Sequence, residues 1–276
     1  MNKNNIFALF MVFVFAQIHA LDHIIFGFSP ERHGYGMPDG TSQYLRPATP
    51  EIDNLVRAVL GDLIPQDKPL VILQHPEGFD TTVEYAAASQ NSSCNYIILN
   101  NTCVQDLTMD PSGFAHRALL HEAGHLHFNH MLCERRNAIA FWAMGAGMIS
   151  IKGVYNAYNN HDFFKRRPQL ERVFLACMIG SIYYLFKTIY DHEKQADQFS
   201  WEKINDKYIE NALSHKDFQQ SQPRRFIDLL KQLCLRHITL EEFWSRATHP
   251  GPYENYHMAL AEAKKRSLSI EPSARP

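Results

Sequence analysis

The chain has 276 residues, with 27 Lys and Arg against 29 Asp and Glu and a formal net charge of −2. That length can bury a substantial core, in one large domain or two small ones. The charge balance leaves no electrostatic footprint for nucleic acid, and the sequence contains no glycine-rich phosphate loop, so neither nucleic acid nor nucleotide is an expected partner.

Lys3 precedes an apolar stretch over 6–15, and Ile18-His19-Ala20 comes after it. A basic start, an apolar centre and a small residue at the end describe a signal peptide cut after Ala20. An uncleaved anchor is the alternative, because Ile24-Ile25-Phe26 prolongs the apolar character. Either one exports the remainder of the chain. Residues 21–50 carry Gly34, Gly36, Pro38 and Gly40 at short spacing and read as irregular. Over 51–64, Ile52, Leu55, Val56, Val59, Leu60 and Leu63 fall on one stripe, a helix that Pro50 can open. Short strands are expected at 70–73, 81–85 and 96–99, where β-branched and aromatic residues gather. Cys94 and Cys103 flank the last of these; they either close a disulfide or stay free thiols. Cys133, Cys177 and Cys234 read as buried apolar-like residues.

His121-Glu122-Ala123-Gly124-His125 is an HExxH pentapeptide. Apolar spacing on both sides places it in a helix over about 111–134. Residues i and i+4 lie about 40° apart around a helix, so both imidazoles leave one face and can reach one zinc ion. Glu122 lies between them as a general base for water activated by the metal. Gly124 costs about 1 kcal/mol in a helix interior relative to Ala, and its small size admits another backbone close to the metal. His127 and His130 point elsewhere from a straight helix and read as surface or packing residues.

Two apolar segments come next, 138–151 and 173–186, with the basic cluster Lys165-Arg166-Arg167 between them. Each strict run is shorter than the ~20 residues of a spanning helix, though the flanks approach that length. They form either a two-helix membrane hairpin, its basic loop cytoplasmic, or two helices packed over the site. A hairpin would return the chain to the non-cytoplasmic side, where both halves of a zinc site could meet.

The second half is Asp191-His192-Glu193-Lys194-Gln195-Ala196-Asp197. Glu193 and Asp197 share a helix face, so Glu193 can be the third zinc ligand and Asp197 can accept the free N–H of a ligand histidine. Helices are expected at 192–212, 223–236, from 240, and at 253–266; residues 267–276 form a tail.

The order HExxH, then ExxxD, then Thr248-His249-Pro250 resembles the membrane-associated gluzincin metalloproteases, which include the HtpX-type, OMA-type and CaaX prenyl endoproteases. The resemblance covers about residues 50–265. It implies that His121, His125 and Glu193 bind Zn²⁺, that Glu122 is the base and that Asp197 supports the site. Two features depart from the family. An Asn-Ala-Phe-like segment before the motif helix is replaced by Glu84-Tyr85-Ala86-Ala87-Ala88-Ser89, and no arginine comes shortly after Thr248-His249-Pro250. His249, Tyr253, Tyr256 and His257 are then the candidate donors to a developing oxyanion, with His249 also able to block the metal.

The expected architecture is α+β and mainly helical, with the motif helix beside a small sheet in a metalloprotease domain over 51–266. The expected activity is zinc-dependent endopeptidase on protein or peptide substrates, in quality control of envelope or membrane proteins by resemblance. The expected location is exported or membrane-associated, with the site on the non-cytoplasmic side. The alternative is a zinc-holding, inactive scaffold.

Overall fold

The computed structural model describes residues 35–36, 42–43, 45–76, 85–90, 93–133, 137, 168–223 and 226–268. Residues 1–20, expected to be a signal peptide or anchor, the apolar segment 138–151 and the end of the expected tail lie outside them. Within 21–50, expected to be irregular, three two-residue strands form. Strands β1 (Tyr35–Gly36) and β2 (Ser42–Gln43) pair antiparallel, and β3 (Arg46–Pro47) comes next. Helix α1 (Pro50–Leu60) begins where the sequence places it. Thr49 accepts a hydrogen bond from Ile52 N, Pro50 occupies the first turn, and Ile52, Val56 and Leu60 are buried. Gly61, at φ 47°, ends it in a backbone conformation that favours glycine.

Strands β4 (Leu70–Gln74), β5 (Ala86–Gln90) and β6 (Asn95–Leu99) join β3 in a four-stranded sheet ordered β3-β4-β6-β5. Strand β4 is parallel to β6, and β5 is antiparallel to it, with Ala88 opposite Ile97. Every residue of β6 is buried, as a strand covered on both faces should be. Ile72, Ile97 and Leu99 enter one core cluster, while Leu73, Tyr96 and Ile98 enter another with Leu45 and Ala87. Of the strand expected at 81–85 only Tyr85 is described, and it precedes β5. Alanines are poor strand formers, so no local propensity announces β5. Cys94 and Cys103 are not joined in a disulfide, and Cys133 and Cys234 are exposed rather than buried; the side chain of Cys177 lies outside the described residues.

Helix α2 (Asn101–Met109) is capped by Asn100, whose side chain accepts from Cys103 N at 2.7 Å. The motif helix α3 spans Phe114–His127, shorter at both ends than the expected 111–134. At its start, Asp110 Oδ1 accepts from Ser112 N and Oγ, holding Pro111-Ser112-Gly113 in a turn. At its end, Phe128 N still donates to Gly124 O, but Asn129 adopts φ 55°. Asn tolerates that left-handed conformation better than most residues. Helical structure resumes at His130.

Helix α4 spans Pro168–Lys203. The helix expected over 192–212 is therefore two helices, because Asn205 stops the first and caps α5 (Asp206–Ser214) through Tyr208 N at 2.8 Å. Helices α6 (Lys216–Gln219), α7 (Phe226–Cys234), α8 (Leu240–Thr248) and α9 (Pro252–Lys265) complete the chain. A further core cluster joins Leu120 of α3 and Trp201 of α4 to Ile204, to Ile209 and Leu213 of α5, and to Ala259 and Ala263 of α9. Arg266 closes it, donating to the carbonyls of Trp201, Glu202 and Ile204 at the end of α4.

The chain forms two compact units, Met1–Phe28 with Leu132–Thr188, and Ser29–Met131 with Ile189–Pro276. The second holds the sheet, the motif helix and every candidate site residue. The architecture is α+β, mostly helical, with a small mixed sheet. Among the described residues no helix is long and apolar enough to cross a membrane; segment 173–186 falls within α4.

Candidate metal centre

A missing side chain lets α3 and the C-terminal part of α4 meet. Gly124 has no Cβ, and one built there would sit 3.0 Å from Ala196 Cα and 3.3 Å from Ala196 O. Ala196 is itself fully buried and small. The helices thus touch backbone to backbone, beside His125 and within a turn of His121 on α3, and between Glu193 and Asp197 on α4. At the other end of α3, a Cβ on Gly113 would meet Asp110 Oδ2 at 2.6 Å, so a larger residue there would push aside the carboxylate that holds the entry turn.

The three expected ligands converge. His121 Nε2 lies 3.1 Å from His125 Nε2 and 3.2 Å from Glu193 Oε2, and His125 Nε2 lies 3.5 Å from Glu193 Oε1. Four ligands at zinc's usual bond lengths make a tetrahedron with edges of about 3.3–3.5 Å. The edges from His121 Nε2 to His125 Nε2 and to Glu193 Oε2 lie close to that figure, and the 3.5 Å contact of His125 reaches the other oxygen of the same carboxylate. Glu193 is 9% exposed, and its Oε2 is buried without a well-aligned hydrogen bond, facing ring nitrogens of His121 at 3.2 Å and His249 at 3.4 Å, a setting that suits an atom able to meet a cation. The donor set of two imidazoles and a carboxylate is one that zinc takes in catalytic sites.

Asp197 stands where the sequence puts it. His121 Nδ1 lies 3.0 Å from Asp197 Oδ1, which leaves Nε2 facing the other ligands. Two residues not foreseen hold that carboxylate. Arg117 Nη2 donates to Asp197 Oδ1 at 2.7 Å and to Asn255 Oδ1 at 2.7 Å; Asn255 Nδ2 donates to Asp197 Oδ2 at 3.0 Å. Trp201 Nε1 also donates to Asn255 Oδ1, and the Arg117 guanidinium lies over the Trp201 ring. Arg117 thereby balances the charge of Asp197 beside His121.

These neighbours set the proton affinities of the metal-free protein. Burial would lower His121, but the Asp197 and Glu193 carboxylates outweigh it and raise its pKa to about 10. Burial would raise Glu193 and Asp197, yet both are held below the usual carboxylate range, Glu193 by the two imidazoles and Asp197 by His121, Arg117 and Asn255. Glu122 moves the opposite way: burial raises it, and the nearby histidines only partly offset that. A raised carboxylate suits a proton acceptor that must also give the proton back. Its Oε2 accepts from Ala88 N of the edge strand β5 at 2.6 Å.

His130 is a buried packing residue outside the ligand group, as expected, but it does not face away from the site as a straight helix would place it. The break at Asn129 turns it back onto α3, where its Nδ1 lies 3.2 Å from His125 Nδ1 and its Nε2 lies 3.0 Å from Gln195 Oε1 of α4. It is 2% exposed, stacked at 4.2 Å on His192, and burial lowers its pKa to about 4. His127 does behave as expected, with Nδ1 against Leu63 O and its ring on Phe199.

The candidate oxyanion donors separate. His249 ends α8 with its Nε2 3.4 Å from Glu193 Oε2, its side chain half-exposed beside the ligand group. Tyr253 and His257 line a different cavity with Lys194 and Gln198, and Tyr256 packs against Phe218. A larger cavity of about 770 Å³ continues the α3–α4 seam past Arg117, lined by Phe114, Trp201, Tyr208, Pro250 and Asn255 among others. No protein family, curated protein or solved structure matches this chain.

Proposed function

We propose that this chain is a zinc-dependent metalloendopeptidase of gluzincin type. The observation that carries the reading is the trio His121, His125 and Glu193 at close to the edge lengths of a tetrahedral zinc site, with Glu122 beside it. Zinc bound there supplies Lewis acidity to water and to the scissile carbonyl. Glu122 takes the proton from the attacking water and delivers it to the leaving amine. Asp197, fixed by Arg117 and Asn255, holds His121 in the tautomer that leaves Nε2 free. Strand β5 offers an edge to an extended substrate segment. Main-chain pairing at Ala88 would compete with Glu122 for the same N–H, so substrate arrival frees the base. His249 is the donor best placed for a developing oxyanion, being the candidate nearest the ligands.

Export, membrane association and action on misfolded or damaged envelope proteins are part of the proposal and rest on the leader-like start and the family resemblance. Release by alkaline carbonate separates a peripheral protein from a spanning one. The test of the chemistry is zinc content and casein cleavage side by side for wild type, Glu122→Gln and Glu193→Ala. Cleavage lost in both, with zinc kept in the first and weakened in the second, is the expected result. Zinc held by a wild type that cuts nothing would favour the inactive scaffold.

A further inference from the structure

We infer that His130 is a positioning residue for the metal, acting through a hydrogen-bonded relay His125–His130–Gln195 that fixes the tautomer and orientation of His125. This role rests on the zinc reading of the site and gives the second ligand histidine a partner that the motif does not name.

Ring protons can be assigned along this line of contacts. His125 presents Nε2 to His121 and Glu193, so Nε2 is the metal-facing atom and Nδ1 carries the ring proton. The atom that meets His125 Nδ1 is His130 Nδ1, at 3.2 Å, and it must accept. His130 Nε2 then carries that ring's only proton and donates to Gln195 Oε1 at 3.0 Å. Each ring holds one proton and each contact has one donor and one acceptor. The relay closes only with His130 neutral.

Geometry holds His130 in this role from both sides. It is 2% exposed, stacked on His192 at 4.2 Å with 6° between the planes, and stacked on Phe128 at 5.4 Å. Asn129, whose left-handed φ turns the chain, is itself held by Gln90 Nε2 donating to its Oδ1 at 3.0 Å. The edge of the sheet therefore sets the aim of His130.

The two ligand histidines thus have unlike partners. His121 leans on a carboxylate that Arg117 neutralises, and His125 leans on an uncharged imidazole. Neither support would add net negative charge to a bound metal, so Glu193 would be the one anionic partner in direct contact with it.

The experiment uses the full chain and measures zinc affinity by competition with a chromophoric chelator, for wild type, His130→Phe and His130→Asn. Phe keeps an aromatic ring between His192 and Phe128 but offers no acceptor. Asn loses the ring but places its Oδ1 where Nδ1 stood. A positioning role predicts that Phe weakens zinc binding about 10–100-fold while Asn stays within a few-fold of wild type. A packing role predicts the reverse order, and that result overturns the inference. Gln195→Leu, one hydrogen bond further out, should weaken zinc by a smaller factor and serves if either His130 variant fails to fold; no effect there, with the Phe variant also equal to wild type, overturns it too. Absence of stoichiometric zinc in the wild type sinks the metal reading itself, and the relay with it.

Discussion

At the scale of single residues, the proposed function assigns proton transfer to Glu122 and metal binding to His121, His125 and Glu193. Glu122→Gln keeps the Ala88 contact available through its amide oxygen and removes the base, so casein cleavage should fall by about 10²–10⁴ with zinc content unchanged. Loss of zinc in that variant would mean that Glu122 serves the metal rather than the water. His121 gives a pH prediction. Its pKa stands at about 10 in the metal-free protein, against about 6.5 in an unfolded chain. A raised pKa stabilises the folded state fully below about pH 6.5 and loses that contribution as pH climbs through 10. The metal-free protein should therefore melt at progressively lower temperature from pH 7 to 10. Zinc must displace the His121 proton, so its affinity should rise over the same range. Titration calorimetry in two buffers of different ionisation enthalpy at pH 8 should count about one proton released per zinc; a count near zero contradicts the assignment.

At the scale of elements, the closeness of α3 and α4 decides the site. Ala is favoured over Gly in a helix by about 1 kcal/mol. At position 124 its Cβ would stand 3.0 Å from the Ala196 backbone, and neither backbone can yield cheaply. Gly124→Ala should then be net destabilising by about 1–3 kcal/mol, read as a lower melting temperature in chelator, and should weaken zinc binding as the helices part. A stabilised variant with unchanged zinc affinity would mean the helices have slack. Helix geometry also governs how much of the site is legible in the sequence. Both HExxH and ExxxD are i, i+4 patterns, so the face each set shares is dictated by the helix alone, and Gly124 signals a close approach. Arg117, Gln195 and Asn255 carry no such local signature, because they matter only once α3, α4 and α9 are packed. His130 is misplaced by any reading that keeps α3 straight. The one clue is Asn129, a residue that tolerates the left-handed turn, at the end of a motif helix otherwise continuous in pattern. Strand β5 is hidden for a related reason: its alanines let α3 lie close, a tertiary demand that strand propensity does not express.

At the scale of the molecule, the ligands link two stretches of chain that are far apart in sequence and share one core. Leu120 and Trp201, each close to site residues, pack in the same cluster, so the site stands on the hydrophobic core rather than on loops. Zinc at 1,000 times its dissociation constant would add about 4 kcal/mol of stability, roughly 8–16 °C of melting temperature for a domain of this size. Chelation should lower the wild-type melting temperature by an amount of that order and leave Glu193→Ala nearly unmoved. Equal shifts in both proteins would place the metal elsewhere.

Because His121 and His125 precede Glu193 by roughly 70 residues, a ribosome making about 5–20 residues per second leaves the trio incomplete for on the order of 10 s. During that interval the nascent chain carries the base, the edge strand and two imidazoles but lacks the carboxylate that completes the metal's grip. On the proposed zinc reading, a growing polypeptide of this design would be unable to cut itself or its neighbours until the helix that bears Glu193 had emerged and docked, so the order of the candidate ligands along the chain would itself be a safety catch on the enzyme's birth.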